Sequence, residues 1–428
     1  MGSIAVELEK LGIPTVTTYN ERHENRFMGT VLSKGYADYP AINFPEIETL
    51  SLQGVQKLAE QAAPYVANAL TAWESPALQK QGNLWLPKET EFSYTGADYA
   101  EALAKMNESF LQDYYWGDGL PLEPPTQERV DAMLAGTPLA PDTVLGTWGP
   151  TNAQFTVEKV AVNAALAGAK PEYMPVIVAA LKAITSVRWD AYSPVMKSPV
   201  PLVVVNGPVA AQLGINSSAN AFGPNPKYSA NGTIGRAISL ALHNISGNGK
   251  GLLPSNLAGN QATYAGMVIA EAEEVEALAT GWDPLNVQLG FAPGTNTVTV
   301  LGIDQMDMSI SGGVANVAAY AAPDKGIWPR TKEAFDKKVA GVVIVSEMIC
   351  ITDGIMGDVT KADIQQEMYE KARIPRQEFM NLVLTAEDGS AVEPTGFVKE
   401  MLDGLGPNES VPIAAGPDKF LVVVSGGH

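Results

Sequence analysis

The sequence predicts an α/β fold, built of several mixed or parallel-sheet α/β units joined by many Gly/Pro-rich loops. Three observations carry that expectation. Apolar runs of strand length, above all PLVVVNGPV at 201–209, are continuous and so suit strands covered on both faces. Elsewhere apolar residues recur at helical spacing, as in Val55, Leu58, Ala59, Ala62, Ala63, Val66 and Leu70. The 40 Gly and 30 Pro are spread along all 428 residues rather than gathered in one tract, which suits many tight connections between short elements.

In chain order, IAVELEKLG reads as the end of a helix and IPTVTTY as a buried strand, followed by the polar loop NERHENRF. The helical repeat from Val55 to Ala72 leads into a Pro- and Gly-marked connection, Pro76 to Pro87, so a first lobe is expected over 1–76. A helix from Asp98 to Tyr115 stops before Gly117, and the loop WGDGLPLEPPTQERV brings Thr126 to a helix start as N-cap. Val157 to Ala167 and Pro171 to Ser186 read as two more helices, the second opening on proline.

The strand at 201–209 is followed by the long polar loop GINSSANAFGPNPKYSANG. The helix TIGRAISLALHNI comes next, with Ile234, Ala237, Ile238, Ala241, Leu242 and Ile245 on one face. Strands YAGMVIAE and NTVTVLGI complete a central domain expected over 88–330. A C-terminal α/β element over 331–428 contains VAGVVIVS, DIQQEMYEKAR and DKFLVVVSGG, and no internal repeat is visible.

Charge and composition exclude several classes. Lys plus Arg number 28 against 47 Asp plus Glu, a net charge of −19 that repels phosphate, so no nucleic-acid partner is expected. No apolar run reaches the ~18 residues of a bilayer span. The start MGSIAVELEKLGIPTV lacks the basic, then long apolar, pattern of a signal peptide, and the expected location is cytoplasmic. A single cysteine, Cys350, cannot form an intrachain disulfide, a thiolate metal cluster or a CxxC pair. The three histidines leave little for a histidine-rich metal site, and no cofactor is named by any motif: GxxxxGK[ST], GxGxxG after a strand, HExxH and GxSxG are all missing.

Four places could carry chemistry. The first is the strand–loop–helix stretch from Asn206 to Arg236, a candidate substrate-binding site formed by Asn206, Gly207, Asn216, Ser217, Asn220, Thr233 and Arg236. Free backbone N–H groups and the helix dipole would favour an anion there, and Arg236 in the first helical turn would grip a carboxylate with two bonds. A loop capped by its own Asn and Ser side chains fits the same residues. The second is Asp118, an acid on a turn between two glycines and stiffened by prolines, where an ordinary DG turn is the alternative. The third, Cys350, has Glu347, Asp353 and Asp358 as its nearest charges, which favour an inert thiol over a nucleophile. The fourth is the pair Glu21 and His23 after the first strand, where ligands bind in α/β sheets.

Several segments taken together carry a resemblance. ELEKLGIPTV, WGDGLPLEPPTQERV, TVEKVAVNAALAGAKPEYMPVIVAAL, VVNGPVAAQLGINSSANAFGP with NGTIGRAI, and FLVVVSGG resemble the UGSC-type (seleno)protein family, related to the selenocysteine subunits of the glycine, sarcosine and betaine reductases. In that family a Gly-Ser-Cys or Gly-Ser-selenocysteine motif stands shortly before the segment matching ELEKLGIPTV, where this chain reads MGS and then IAV. A family cysteine before PEY is here Ala169. The resemblance therefore implies an enzyme, or its large subunit, that cleaves or forms a carbon–heteroatom bond in a small carboxylate or carbonyl substrate. The reactive thiol would come from a small partner subunit carrying the Gly-Ser-Cys motif and completing the first lobe.

Two alternatives stay open. One is a non-redox lyase or hydratase using Glu21, His23, Asp118 and Glu158 as acid–base groups. The other is a catalytically silent scaffold subunit.

Overall fold

The computed structural model describes residues 5, 8–9, 11–20, 31, 39, 41–44, 52–71, 91–114, 116–148, 153–186, 200–246, 266–277, 280–303, 332–346, 359–384, 393–406 and 408–427. The architecture is mixed α/β, with several small mixed and parallel sheets among helices. The chain divides into two units, Met1–Ser198 with Arg236–Ala265, and Pro199–Gly235 with Gly266–His428.

In the first unit, β1 (Thr17–Asn20) pairs in parallel with β2 (Ala41–Phe44), and α1 (Leu52–Thr71) follows. Helix α2 (Tyr99–Gln112) starts where the Asp98 side chain accepts a bond from the Glu101 amide. It buries Met106 and Phe110 one turn apart, and edge-on contacts from Phe92, Tyr94 and Trp116 surround the Phe110 ring.

Thr126 caps α3 (Gln127–Ala135) through the Arg129 amide, as its position in the sequence predicts. Strands β3 (Val144–Trp148) and β4 (Ala153–Thr156) form an antiparallel pair, and Thr156 caps α4 (Val157–Leu166) through the Lys159 amide. Helix α4 buries Val157, Val160, Ala161, Ala164 and Ala165, so it is a core helix rather than an amphipathic surface one. The stretch expected as one helix from Pro171 opens instead as a tight 3₁₀ turn, Pro171–Tyr173, before α5 (Met174–Ser186). The body of a further helix, Ala230–Ser246, also belongs to this unit. Its Asn244 donates to Asn163 Oδ1 (2.7 Å) in α4 and accepts from the Gly117 amide (2.8 Å).

The second unit is organised by β5 (Val200–Asn206), every residue of which is buried. Pro201 is tolerated in this centre strand because pairing with the next strand begins only at Leu202, so no ladder bond is lost on that side. The strand ends at Asn206, earlier than the sequence pattern predicts, because Gly207 turns the chain into the short helix α6 (Pro208–Leu213). Helix α7 (Ala230–Ser246) begins three residues ahead of Thr233, which moves Arg236 from the first turn into the second. Ile234, Ala237, Ile238 and Ala241 are buried as predicted; Leu240 joins them, while Leu242 and Ile245 are only half-buried.

Strand β6 (Met267–Ala270) lies parallel to β5, and the short helices α8 (Glu273–Glu276) and α9 (Leu285–Gln288) follow. β7 (Thr297–Ile303) runs antiparallel along the other edge of β5 and is half-buried, as its alternating Thr and Val residues suit. After α10 (Lys332–Lys337), β8 (Gly341–Val345) leads on to α11 (Lys361–Lys371), β9 (Arg373–Ile374), α12 (Arg376–Val383), α13 (Gly396–Asp403), β10 (Val411–Pro412) and β11 (Phe420–Val424). β11 pairs in parallel with β8, and Trp282, Phe335, Met368, Phe379 and Phe420 fill the core beside them.

Parallel pairing brings strand C-termini together. β5 and β6 end side by side at Asn206 and Ala270. The Ala270 amide donates to Asn216 O, and Ser425 Oγ and the Gly426 amide at the end of β11 donate to Ser217 O. The Ala272 amide reaches Val424 O. Such an edge, rich in loop backbone and polar side chains, is where α/β sheets bind ligands. Among the described residues no helix is long and apolar enough to cross a membrane.

Candidate functional site

Asn206 sits at the end of β5 with no exposed surface, and its amide group is shared between two glutamates. Nδ2 donates to Glu271 Oε2 at 2.6 Å and to Glu273 Oε1 at 3.0 Å. Glu273 Oε1 also accepts from the Gly207 amide at 2.6 Å. Glu271 follows directly on β6, and its Oε2 takes a further bond from the Leu285 amide (2.7 Å). Its Oε1 lies 2.8 Å from Lys361 Nζ, the first residue of α11. Lys361 donates as well to the carbonyl of Asp283 (2.9 Å) and stands 2.5 Å from Glu276 Oε1.

The result is one ammonium and two carboxyls in an almost dry site: Lys361, Glu271 and Glu276 are 3%, 4% and 1% exposed. Glu271 accepts from three donors. Neither oxygen of Glu276 has a well-directed hydrogen-bond partner, although Lys361 Nζ stands 2.5 Å from Oε1. Burial above all, then the negative charge of Glu271, pushes the Glu276 acid up to about 9 against the pull of Lys361. At neutral pH Glu276 therefore keeps its proton beside Lys361 and Glu271. A lysine opening a helix opposes the dipole, and the two glutamates compensate it.

Two more buried acceptors without donors, Asn206 Oδ1 and Thr297 Oγ1, lie on directly paired residues of β5 and β7. Glu273, half-buried, is the member of the group nearest solvent. Among the described residues no group of three or more His, Cys, Asp or Glu side chains is placed to hold a metal ion.

The site residues expected from the sequence fall in both units. Asn206 and Gly207 belong to the cluster just described. Asn216 is buried and works as loop scaffold: its Oδ1 accepts from the Ser218 amide, and its Nδ2 donates to Ala219 O. Asn231 fastens the same loop by donating to the carbonyls of Asn216, Ala221 and Val268, each at 3.0 Å. Ser217 receives the end of β11, Asn220 is exposed in the left-handed region (φ 54°), and the Thr233 amide bonds Ser229 O within α7.

In the other unit, Arg236 makes the two-bond carboxylate contact that its position suggested, but to the chain's own Asp118. Nε reaches Oδ2 at 2.8 Å and an Nη reaches Oδ1 at 3.0 Å, while the Pro121 carbonyl takes a third bond. Both side chains are largely shielded, and Leu120 closes a turn on Asp118 Oδ1. Glu158 is exposed in the first turn of α4 beside Lys159, whose ammonium burial disfavours and Glu158 partly restores. Glu21, His23 and Cys350 lie outside the described residues.

No protein family, curated protein or solved structure matches this chain.

Glu271, Glu273, Glu276 and Lys361 escaped the sequence analysis, although a signal was present. The strand MVIA runs straight into EAEEVE, placing four glutamates at a strand C-terminus, and Lys361 follows the helix cap Thr360 where an acid is the usual choice.

Gly207 is the backbone joint of the site. Its φ is +87°, and a Cβ there would stand 2.6 Å from Asn296 Oδ1 and 2.7 Å from the Thr295 carbonyl oxygen. Gly207→Ala is expected to lower stability by about 3 kcal/mol, combining backbone strain with overpacking. The midpoint of urea unfolding measures this, and an unchanged midpoint would show that the β5–α6 joint is not the tight turn described.

Proposed function

We propose that the chain is an enzyme that uses acid–base chemistry on a small carboxylate or carbonyl substrate, adding or removing a group at a carbon–heteroatom bond as a non-redox lyase or hydratase. The observation that carries this reading is the Glu271–Lys361–Glu276 group behind Glu273 at the ends of β5 and β6. Neighbouring carboxyls whose surroundings drive their protonation apart supply a base and an acid at one pH. In an elimination, the base takes a proton from the carbon next to the carbonyl and the acid gives one to the departing oxygen or nitrogen. Glu273, fixed by Gly207 and Asn206 at the edge of the group, is assigned the base role. Glu276 is assigned the proton to be donated.

The resemblance to the UGSC-type family supports the substrate class. It also implies the second version, in which a small Gly-Ser-Cys subunit brings a thiol to the reaction. In either version the expected setting is cytoplasmic, with no nucleic-acid partner.

The test is proton NMR of the purified chain in D₂O with a panel of small 2-hydroxy, 2-amino and unsaturated carboxylates. Addition, elimination or deuterium exchange at carbon is expected without reductant. It should survive thiol alkylation and fall at least ~100-fold in Glu273→Gln. Turnover that appears only with an added thiol subunit would move the assignment to the second version. Turnover unaffected by Glu273→Gln would remove Glu273 from the chemistry.

A further inference from the structure

The helix carrying Lys361 is anchored in the core through Ile364 and Met368 and by Gln365 Nε2 on the Phe420 carbonyl, while its N-terminal end is tied to residues 281–285 and to the strand ends by backbone bonds and by one charged group. Trp282 Nε1 donates to Val359 O (3.1 Å), and the Lys361 amide donates to Gly281 O (3.2 Å). Lys361 Nζ reaches Asp283 O, Glu271 and Glu276. The Leu285 amide completes the strap on Glu271 Oε2. Residues 281–285, the first turn of α11 and the end of β6 thus meet at these three side chains.

We propose that the proton on Glu276 pins the N-terminus of α11 to the C-terminal ends of β5 and β6, and that its loss releases this strap as a pH-operated latch. With the proton in place, Lys361 and Glu271 balance each other and Glu276 adds no charge. Without it, two carboxylates share one ammonium in a site too dry to solvate the excess.

Among the described residues, no other charged group redresses that excess. On its own helix α8, Glu273 is turned to Gly207 and Asn206, and Glu274 is exposed. From the loop before α9, Asp283 presents its carbonyl to Lys361. On α11, Asp363 is bound to Thr360 in the helix cap. From β6 comes Glu271 itself, which opposes ionisation of Glu276. Opening lets Glu276 reach water and ionise there, so the open state gains population as pH rises. The inference shares its cluster with the acid–base reading but depends on no reaction, so either can fail alone.

Hydrogen exchange of the full chain, corrected for the intrinsic rate at each pH, tests it. Between pH 6 and 8, protection of the amides of Leu285 and of the first turns of α11 is expected to fall about tenfold per pH unit, and to stay below that of β5. In Glu276→Gln, and in Glu276→Met as a second neutral replacement, protection should be flat with pH. Three results would overturn the latch: pH-independent protection in the unsubstituted chain, the same slope in both variants, or equal protection of α11 and β5 at every pH, which would mean global unfolding only.

Discussion

Lys361→Met is expected to destabilise the fold by about 3–5 kcal/mol at pH 7, the range found when one partner of a buried ion pair is removed. Glu271 would keep its bonds from Asn206 and Leu285 but lose the counter-charge of Lys361, at 4% exposure. Methionine fills most of the lysine volume, so the loss is electrostatic rather than a cavity. Adding Glu271→Gln to Lys361→Met removes the stranded charge and should recover most of the stability.

Glu271→Gln alone should be milder than Lys361→Met, because the freed ammonium can turn to Glu276, which then ionises as its new partner. The double substitution Glu271→Gln with Glu276→Gln strands Lys361 and should exceed the sum of the singles by more than ~1 kcal/mol. Urea unfolding of the unsubstituted chain, the three single variants (Glu276→Gln included) and the two doubles gives all these terms. A Lys361→Met value within about 0.5 kcal/mol of the unsubstituted chain would mean that water reaches the ion pair, and the account of a dry site would fail.

Local signals made much of this architecture legible. Thr126 caps a helix because a hydroxyl placed one residue ahead of a helical stretch has few other uses, and the buried run at Val200–Asn206 suits a strand covered on both faces. What sequence spacing cannot show is which long-range partner satisfies a charged residue. Arg236 was read as a free grip for a substrate carboxylate; its partner is Asp118, far away in the chain. Each of the two residues was visible as a candidate, and only the fold reveals that they satisfy one another. The reverse error befell Glu271, Glu276 and Lys361. A run of glutamates reads as a solvated face until parallel strand pairing and the helix at Lys361 close over it. Asn206 and Gly207 were found for the loop geometry they serve, while the acids they hold, Glu271 and Glu273, were not.

Glu276→Gln is expected to stabilise the protein, and increasingly so as pH rises. In the folded chain Glu276 titrates at about 9, against an ordinary value of 4.5. Between these values the native state keeps a proton that the unfolded chain has released. Unfolding therefore liberates a proton, and raising the pH favours the unfolded state. Each pH unit in that window removes about 1.4 kcal/mol, an effect absent below the unfolded value and complete above the folded one. Glutamine keeps the shape without titrating, so the two proteins should be similar near pH 4.5 and separate steadily above it. At pH 8 the difference should reach about 3–4 kcal/mol, after allowing about 1 kcal/mol for an amide hydrogen left unpaired. Urea midpoints from pH 5 to 8 decide the matter through their slopes. Parallel profiles would mean that Glu276 is already ionised in the folded protein, paired with Lys361 in place of Glu271. A shallower profile for the substituted protein would locate the proton on Glu276, and with it the neutral acid on which the proposed chemistry draws.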